Sequence, residues 1–276
     1  LVENVSRREL LGYTAAAAGG IGTASLLGSS NAGSGKPSGN ESNETVGERT
    51  CAGTTGEPGT GKVDTHVIGE GSHRGENNFT YFLDRSSLGL DAEQPDEVYS
   101  RIYVKLDEDW AQPTVNDTCK VYWAGCNLSA GAAGQGGTRP SGDDGWSVRI
   151  YTRGPVTDGR VSVGTYVYHL DQPDRFGSLW RWPDRAAIGT WNQIDTYVKL
   201  NSVTDGAANY DGVVRTWLNG TLQNARSDLR WRTTAELGFD RLGPGSYWGG
   251  SKESPQDNIL YYDLFQYAVG SDGLGG

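Results

Sequence analysis

Apolar and polar residues alternate along most of this chain. In Trp146–Arg153, Trp146, Val148 and Ile150 fall on one parity and Ser147, Arg149 and Tyr151 on the other. This is the period-two pattern of a strand with one buried face. The same texture runs through Val98–Leu106, Cys119–Trp123, Arg160–Leu170, Trp191–Asn201, Val213–Leu218 and Asn258–Val269, with a shorter stretch at Asn78–Leu83. Thr157-Asp158-Gly159 and Asn219-Gly220 supply tight turns between neighbours. Apart from the N-terminal segment, nothing sustains a helical period. Many strands at short spacing with no helices between them predict an all-β sandwich or barrel.

The two ends read differently. Ser6-Arg7-Arg8-Glu9-Leu10-Leu11 opens an apolar, Ala/Gly-rich run to Leu27. That is the pattern of a twin-arginine export signal, placed over residues 1–33, and it predicts a secreted protein. Polar and small residues over 34–62 predict a disordered linker. One domain is expected over 63–270 and a flexible tail over 271–276. No other run approaches the roughly 20 apolar residues of a membrane span, and a monomer is expected.

Composition narrows the partners. The formal charge is −10, and Lys is scarce beside Arg. An acidic, Lys-poor surface argues against nucleic acid, which needs a basic footprint. It suits solubility in strong salt and hints at a halophilic source. A polyanionic substrate would need a local basic strip. The cysteines are Cys51, Cys119 and Cys126. An odd count leaves at least one unpaired within a single chain; Cys119 and Cys126 are close enough in sequence either to bridge or to stay free. Zinc is not expected, because no histidine lies nearby.

The chemistry concentrates on two successive strands. In Arg160–Leu170, Val161, Val163 and Val167 share one face, while Tyr166 and Tyr168 share the other with Gly164. If this strand pairs with the preceding one, Ser147, Arg149, Tyr166 and Tyr168 meet on one sheet face. Gly164 would then leave room for a ligand.

The pieces SGDDGWSVRIYTRG, TYVYHLDQ, TWNQIDTYVKLN, DGVVRTWLNG and YWGGSKESPQDNILYYDLF, preceded by VYSRIYVKLDEDW, resemble in order and spacing the alginate-lyase-like polysaccharide lyases of family 14 and their glucuronan-lyase relatives. The resemblance covers residues 98–269. It implies a concanavalin A-like β-jelly-roll sandwich of two antiparallel sheets with a concave substrate cleft, and β-elimination on an anionic, uronate-containing polysaccharide. Such a reaction needs the carboxylate neutralised, the C5 proton removed and the departing O4 protonated. The family's Ser-x-Arg and Tyr-x-Tyr pairs fall on Ser147/Arg149 and Tyr166/Tyr168. No cofactor is required for this chemistry.

The chain departs from the family at its Lys-Leu-Pro-Gly-like segment, which here reads Tyr122-Trp123-Ala124-Gly125. Lys120, two residues earlier and on the same face of a regular strand, or Tyr122, fills the role, or the role is lost. Loss would leave a non-catalytic carbohydrate-binding protein on the same fold. Further candidates to line a cleft are His73, where relatives place a His or Asn, Lys199, Tyr247 as a stacking platform, and Arg101 with Lys105 as a basic strip. Asp263, in an otherwise apolar-aromatic strand, is either bonded to backbone N–H groups or, with Glu76 or Asn77, a ligand of a structural Ca²⁺. A glycoside hydrolase on this architecture would carry a Glu-x-Asp-x-x-Glu strand, and the sequence has none.

Overall fold

The computed structural model describes residues 57–82, 94–127 and 133–270. The expected signal segment, Cys51, the tail and most of the linker lie outside them. The strands, in chain order, are β1 (Asp64–Ile68), β2 (Arg74–Asn77), β3 (Thr80–Tyr81), β4 (Glu97–Leu106), β5 (Thr118–Asn127), β6 (Gly145–Thr157), β7 (Arg160–Tyr168), β8 (Ser178–Ala187), β9 (Trp191–Lys199), β10 (Val203–Thr204), β11 (Ala207–Ala208), β12 (Gly212–Leu218), β13 (Thr221–Leu229), β14 (Arg241–Gly249) and β15 (Asn258–Val269). The described residues contain no helix, and none is long and apolar enough to cross a membrane.

Two antiparallel sheets form a sandwich, as the sequence predicts. The first runs β1-β15-β4-β9-β12-β13. The second runs β2-β14-β5-β6-β7-β8, with β3 also pairing to β14. The core lies between them. Val98, Ile102, Val104 and Leu106 of β4 and Ile194 and Val198 of β9 enter it from the first sheet. Trp146, Val148 and Ile150 of β6 and Val161, Val163 and Val167 of β7 enter from the second. Trp146 packs edge-on against Phe239, with ring centres 4.8 Å apart. The favoured T-shaped geometry adds to the area that these rings bury. The alternation in the sequence is therefore the alternation between this core and the two outer faces.

β14 was not legible as a strand. Its sequence, RLGPGSYWG, reads as a loop because Gly and Pro weaken strands. It forms because Leu242, Pro244 and Trp248 are buried on one parity, leaving Arg241, Gly243, Gly245, Tyr247 and Gly249 on the other. A register shift between Pro244 and Tyr247 accommodates the proline.

The cysteines also resolve. Cys119 and Cys126 are buried and free. Both lie on β5, and seven residues of strand separate their Cα atoms by roughly 20 Å. A disulfide needs less than about 7 Å, so the two cannot bridge, and burial pushes the Cys119 thiol up to about 12.

Candidate active site

The outer face of the second sheet gathers the chemistry. Across β6 and β7, Ser147 faces Tyr168 and Arg149 faces Tyr166. On the other side of β6, Arg149 faces Trp123 and Tyr151 faces Lys120 of β5. Lys120 in turn faces Tyr247 of β14. Arg149, the tyrosine pair, Lys120 and Tyr247 thus share one face.

Lys120 arrives there through a bulge. Between Lys120 and Tyr122, β5 carries one residue more than β6. A bulge re-aims side chains, and here it turns Val121 and Tyr122 both into the core while Lys120 and Trp123 point outward. Lys120 and Tyr122 therefore lie on opposite faces, not on the same face as a regular strand would place them. The Tyr122 hydroxyl lies 2.7 Å from Ser100 Oγ of the opposing sheet, so Tyr122 lines no cleft. Tyr122→Phe is expected to leave any activity on polysaccharide intact and to cost about 1 kcal/mol of stability, the worth of one buried hydrogen bond, measurable by urea denaturation.

The guanidinium of Arg149 is nearly enclosed. Its Cζ lies 5.4 Å from the Tyr168 ring centre and 6.0 Å from that of Tyr166. Nη2 donates to the Gly134 carbonyl at 3.1 Å, while the buried Nε has no partner among the described residues. Asp143 and Asp144, the carboxylates nearest in sequence, accept instead from Ser141. Neither Arg149 nor Lys120 belongs to an ion pair among the described residues. Burial pulls the Arg149 pKa below its ordinary value, against the opposing pull of the two phenols. Burial, and then the charge of Arg149, bring Lys120 down to about 8. Its Nζ stands 5.5 Å from the Tyr247 ring centre and 5.9 Å from that of Tyr166.

A short strap over Ala133–Thr138 crosses this end of the face. Gly134 O accepts from Ser147 Oγ at 2.6 Å as well as from Arg149, and Gly137 N–H donates to the Tyr168 hydroxyl at 2.9 Å. Ser147 is fully buried, so it holds the strap that holds the arginine. Tyr168 is only 1% exposed, and its oxygen also accepts from the Tyr166 hydroxyl at 2.9 Å. Tyr166 is the half-buried member of the pair, and burial with its bond to Tyr168 raises its pKa. The space beside Gly164 is filled: a Cβ there would lie 2.5 Å from the Tyr151 hydroxyl. Gly164 makes room for a tyrosine of the protein, not for a ligand.

The other predicted residues divide. His73 stacks on Tyr247, with ring centres 6.2 Å apart, and its Nδ1–H donates to Trp248 O. Tyr247 is 46% exposed. Arg101 and Lys199 lie on β4 and β9, on the outer face of the other sheet. Arg101 is ion-paired to Asp195 there and Lys105 sits over Tyr261, so this strip is remote from Arg149. Asp263 and Glu76 lie on different sheets. Both Asp263 oxygens accept backbone N–H groups, from Gly59 and from Leu264 at a bulge in β15. No group of three or more His, Cys, Asp or Glu converges among the described residues.

Sequence reading missed Arg241 and Trp123. The Arg241 guanidinium stacks 4.4 Å from the Trp123 ring centre, in the same row of the face as Ser147 and Gly125. Parity within β14 would have placed Arg241 with Tyr247 had that segment been read as a strand. Arg241 shares this face with Lys120 and Arg149 and is ion-paired to Asp240 at 3.6 Å.

No family model matches this chain, and no curated protein does. Solved structures share its architecture. A double variant of alginate lyase Aly36B, in complex with alginate trisaccharide, is 20% identical over 74% of this chain and 80% of that one, with a TM-score of 0.55. Alginate lyase vAL-1 from Chlorella virus is 18% identical over 80% and 89%, with a TM-score of 0.56. The marine PL-14 alginate lyase from Aplysia kurodai is 21% identical over 65% and 72%, with a TM-score of 0.53. The fold of this chain is the β-sandwich of these alginate lyases.

Proposed function

We propose that this chain is an exported polysaccharide lyase that cuts a uronate polymer of the alginate or glucuronan type by β-elimination. One observation carries the reading: a buried guanidinium with no carboxylate partner among the described residues stands on the same sheet face as a lysine amine brought to about 8. Two desolvated cations without counter-charge are costly, and a uronate carboxylate supplies what they lack. Arginine suits that part because its planar fork grips both carboxylate oxygens and keeps its charge.

The remaining groups fall into order around the sugar. With its carboxylate neutralised, the C5 proton becomes acidic enough for the Lys120 amine to take. The electron pair left at C5 forms the C4–C5 double bond as the C4–O4 bond breaks. Tyr166 protonates the leaving O4; its raised pKa keeps the proton available at neutral pH. Tyr168 and the Gly177 N–H, 3.3 Å from the Tyr166 oxygen, then stabilise the phenolate. Tyr247 and Trp123 offer ring surface to neighbouring sugars.

The test is incubation with alginate, glucuronan and heparin-type polymers while the absorbance of unsaturated uronate is followed. A rise with alginate or glucuronan is expected. No rise with any polymer, together with retained binding, would make the protein a carbohydrate-binding module that uses the same face.

A further inference from the structure

Gly249 has no backbone reason to be glycine. It closes β14 opposite Thr118, outside the left-handed φ positions of this chain. What it lacks is space for a side chain. A Cβ at 249 would lie 1.6 Å from Lys120 Nζ, 3.0 Å from Cε and 3.4 Å from Cδ, and these are its three nearest atoms. The amine is seated against the bare Cα of Gly249, with the Tyr247 and Tyr166 rings 5.5 and 5.9 Å away.

We propose that Gly249 is a positioning residue: its missing side chain is the seat that holds the Lys120 amine down on the sheet face, between the Tyr247 and Tyr166 rings. The bulge at Val121 turns Lys120 to the correct face, and Gly249 sets how deep its amine sits. The terminal carbons of lysine are flexible, so a methyl group at 249 displaces the amine toward water and leaves the sheet intact. Displacement removes the desolvation that lowers the amine's pKa. The seat stands on geometry alone; its consequence for turnover rests on the lyase reading.

The experiment follows the side-chain amines of isotope-labelled lysine by NMR through a pH titration, with Lys120 assigned by the signal lost in Lys120→Ala. Lys120 is expected to titrate near 8 in the native chain and close to the ordinary lysine value in Gly249→Ala. The neutral amine at pH 7 then falls by about two orders of magnitude. Turnover is expected to fall in proportion at pH 7 and to recover at alkaline pH, which general damage to the fold would not do. An unmoved Lys120 titration in Gly249→Ala overturns the seat. A moved titration with an unmoved rate profile keeps the seat and overturns the role of Lys120 as base. Should Gly249→Ala fail to fold, Lys120→Ala/Gly249→Ala, in which the clash is gone, is expected to fold. If the double variant also fails, the glycine serves something other than Lys120 and the proposal is wrong.

Discussion

Arg149→Ala is expected to lower turnover of a uronate polymer by about 10²–10³-fold, the usual effect of removing a group that stabilises developing negative charge. The charge that builds at C5 and spreads onto the carboxylate has one enclosed guanidinium beside the tyrosine pair, and among the described residues that guanidinium has no anion to release first. Arg149→Lys should recover little, because an ammonium is a point charge without the planar fork. The fold should survive either change: Ser147 still fastens Gly134, and removing a buried cation without a counter-ion relieves a desolvation cost. Steady-state rates with circular dichroism as a folding control check both statements. A variant that folds and turns over at the native rate would place carboxylate recognition elsewhere on the face.

Lys120→Met is expected to have an effect at least as large, opposite in sign for activity and stability. As the proton acceptor, the amine works only when neutral. The native kcat/KM should therefore climb with pH through about 8 and then level. The methionine variant should lose that limb together with about 10²–10⁴ in rate. Stability follows from linkage. The folded-state pKa lies below the unfolded one, so folding disfavours the ammonium. That penalty is fully present below about 8 and fades as pH rises toward 10.5, a span worth about 3 kcal/mol. The variant should thus melt above the native protein at pH 7 and converge with it in strong alkali. A melting temperature that drops at pH 7 would mean the ammonium is compensated in a way this structure does not contain.

The strands that alternate cleanly were legible because one face of each meets the core: β4, β6, β7, β9, β12 and β15 all carry a β-branched or aromatic inner row. The pairing of β6 with β7, and hence the meeting of Arg149 with the tyrosine pair, followed from a short turn between adjacent strands. Three features of the site were not legible, each for a physical reason. The β5 bulge leaves no mark in KVYWAG, whose residues suit either face, so period-two alternation alone puts Lys120 and Tyr122 on one side. Glycine and proline disguised β14 and hid Arg241 and Gly249 with it. The strap over Tyr168 depends on backbone carbonyl and N–H groups, which the side-chain pattern does not report. Arg101 and Lys199 show the converse limit: parity separates inner from outer residues but cannot say which of two sheets an outer residue decorates.

The most direct test of elimination at this face is digestion of alginate and of glucuronan followed by mass spectrometry of the fragments. Elimination cuts the chain without consuming water, so each new non-reducing end carries a C4–C5 double bond and is lighter than a hydrolytic end by one water. Unsaturated new ends are expected. Saturated new ends would show hydrolysis and contradict elimination, as would polymer that is bound but left whole.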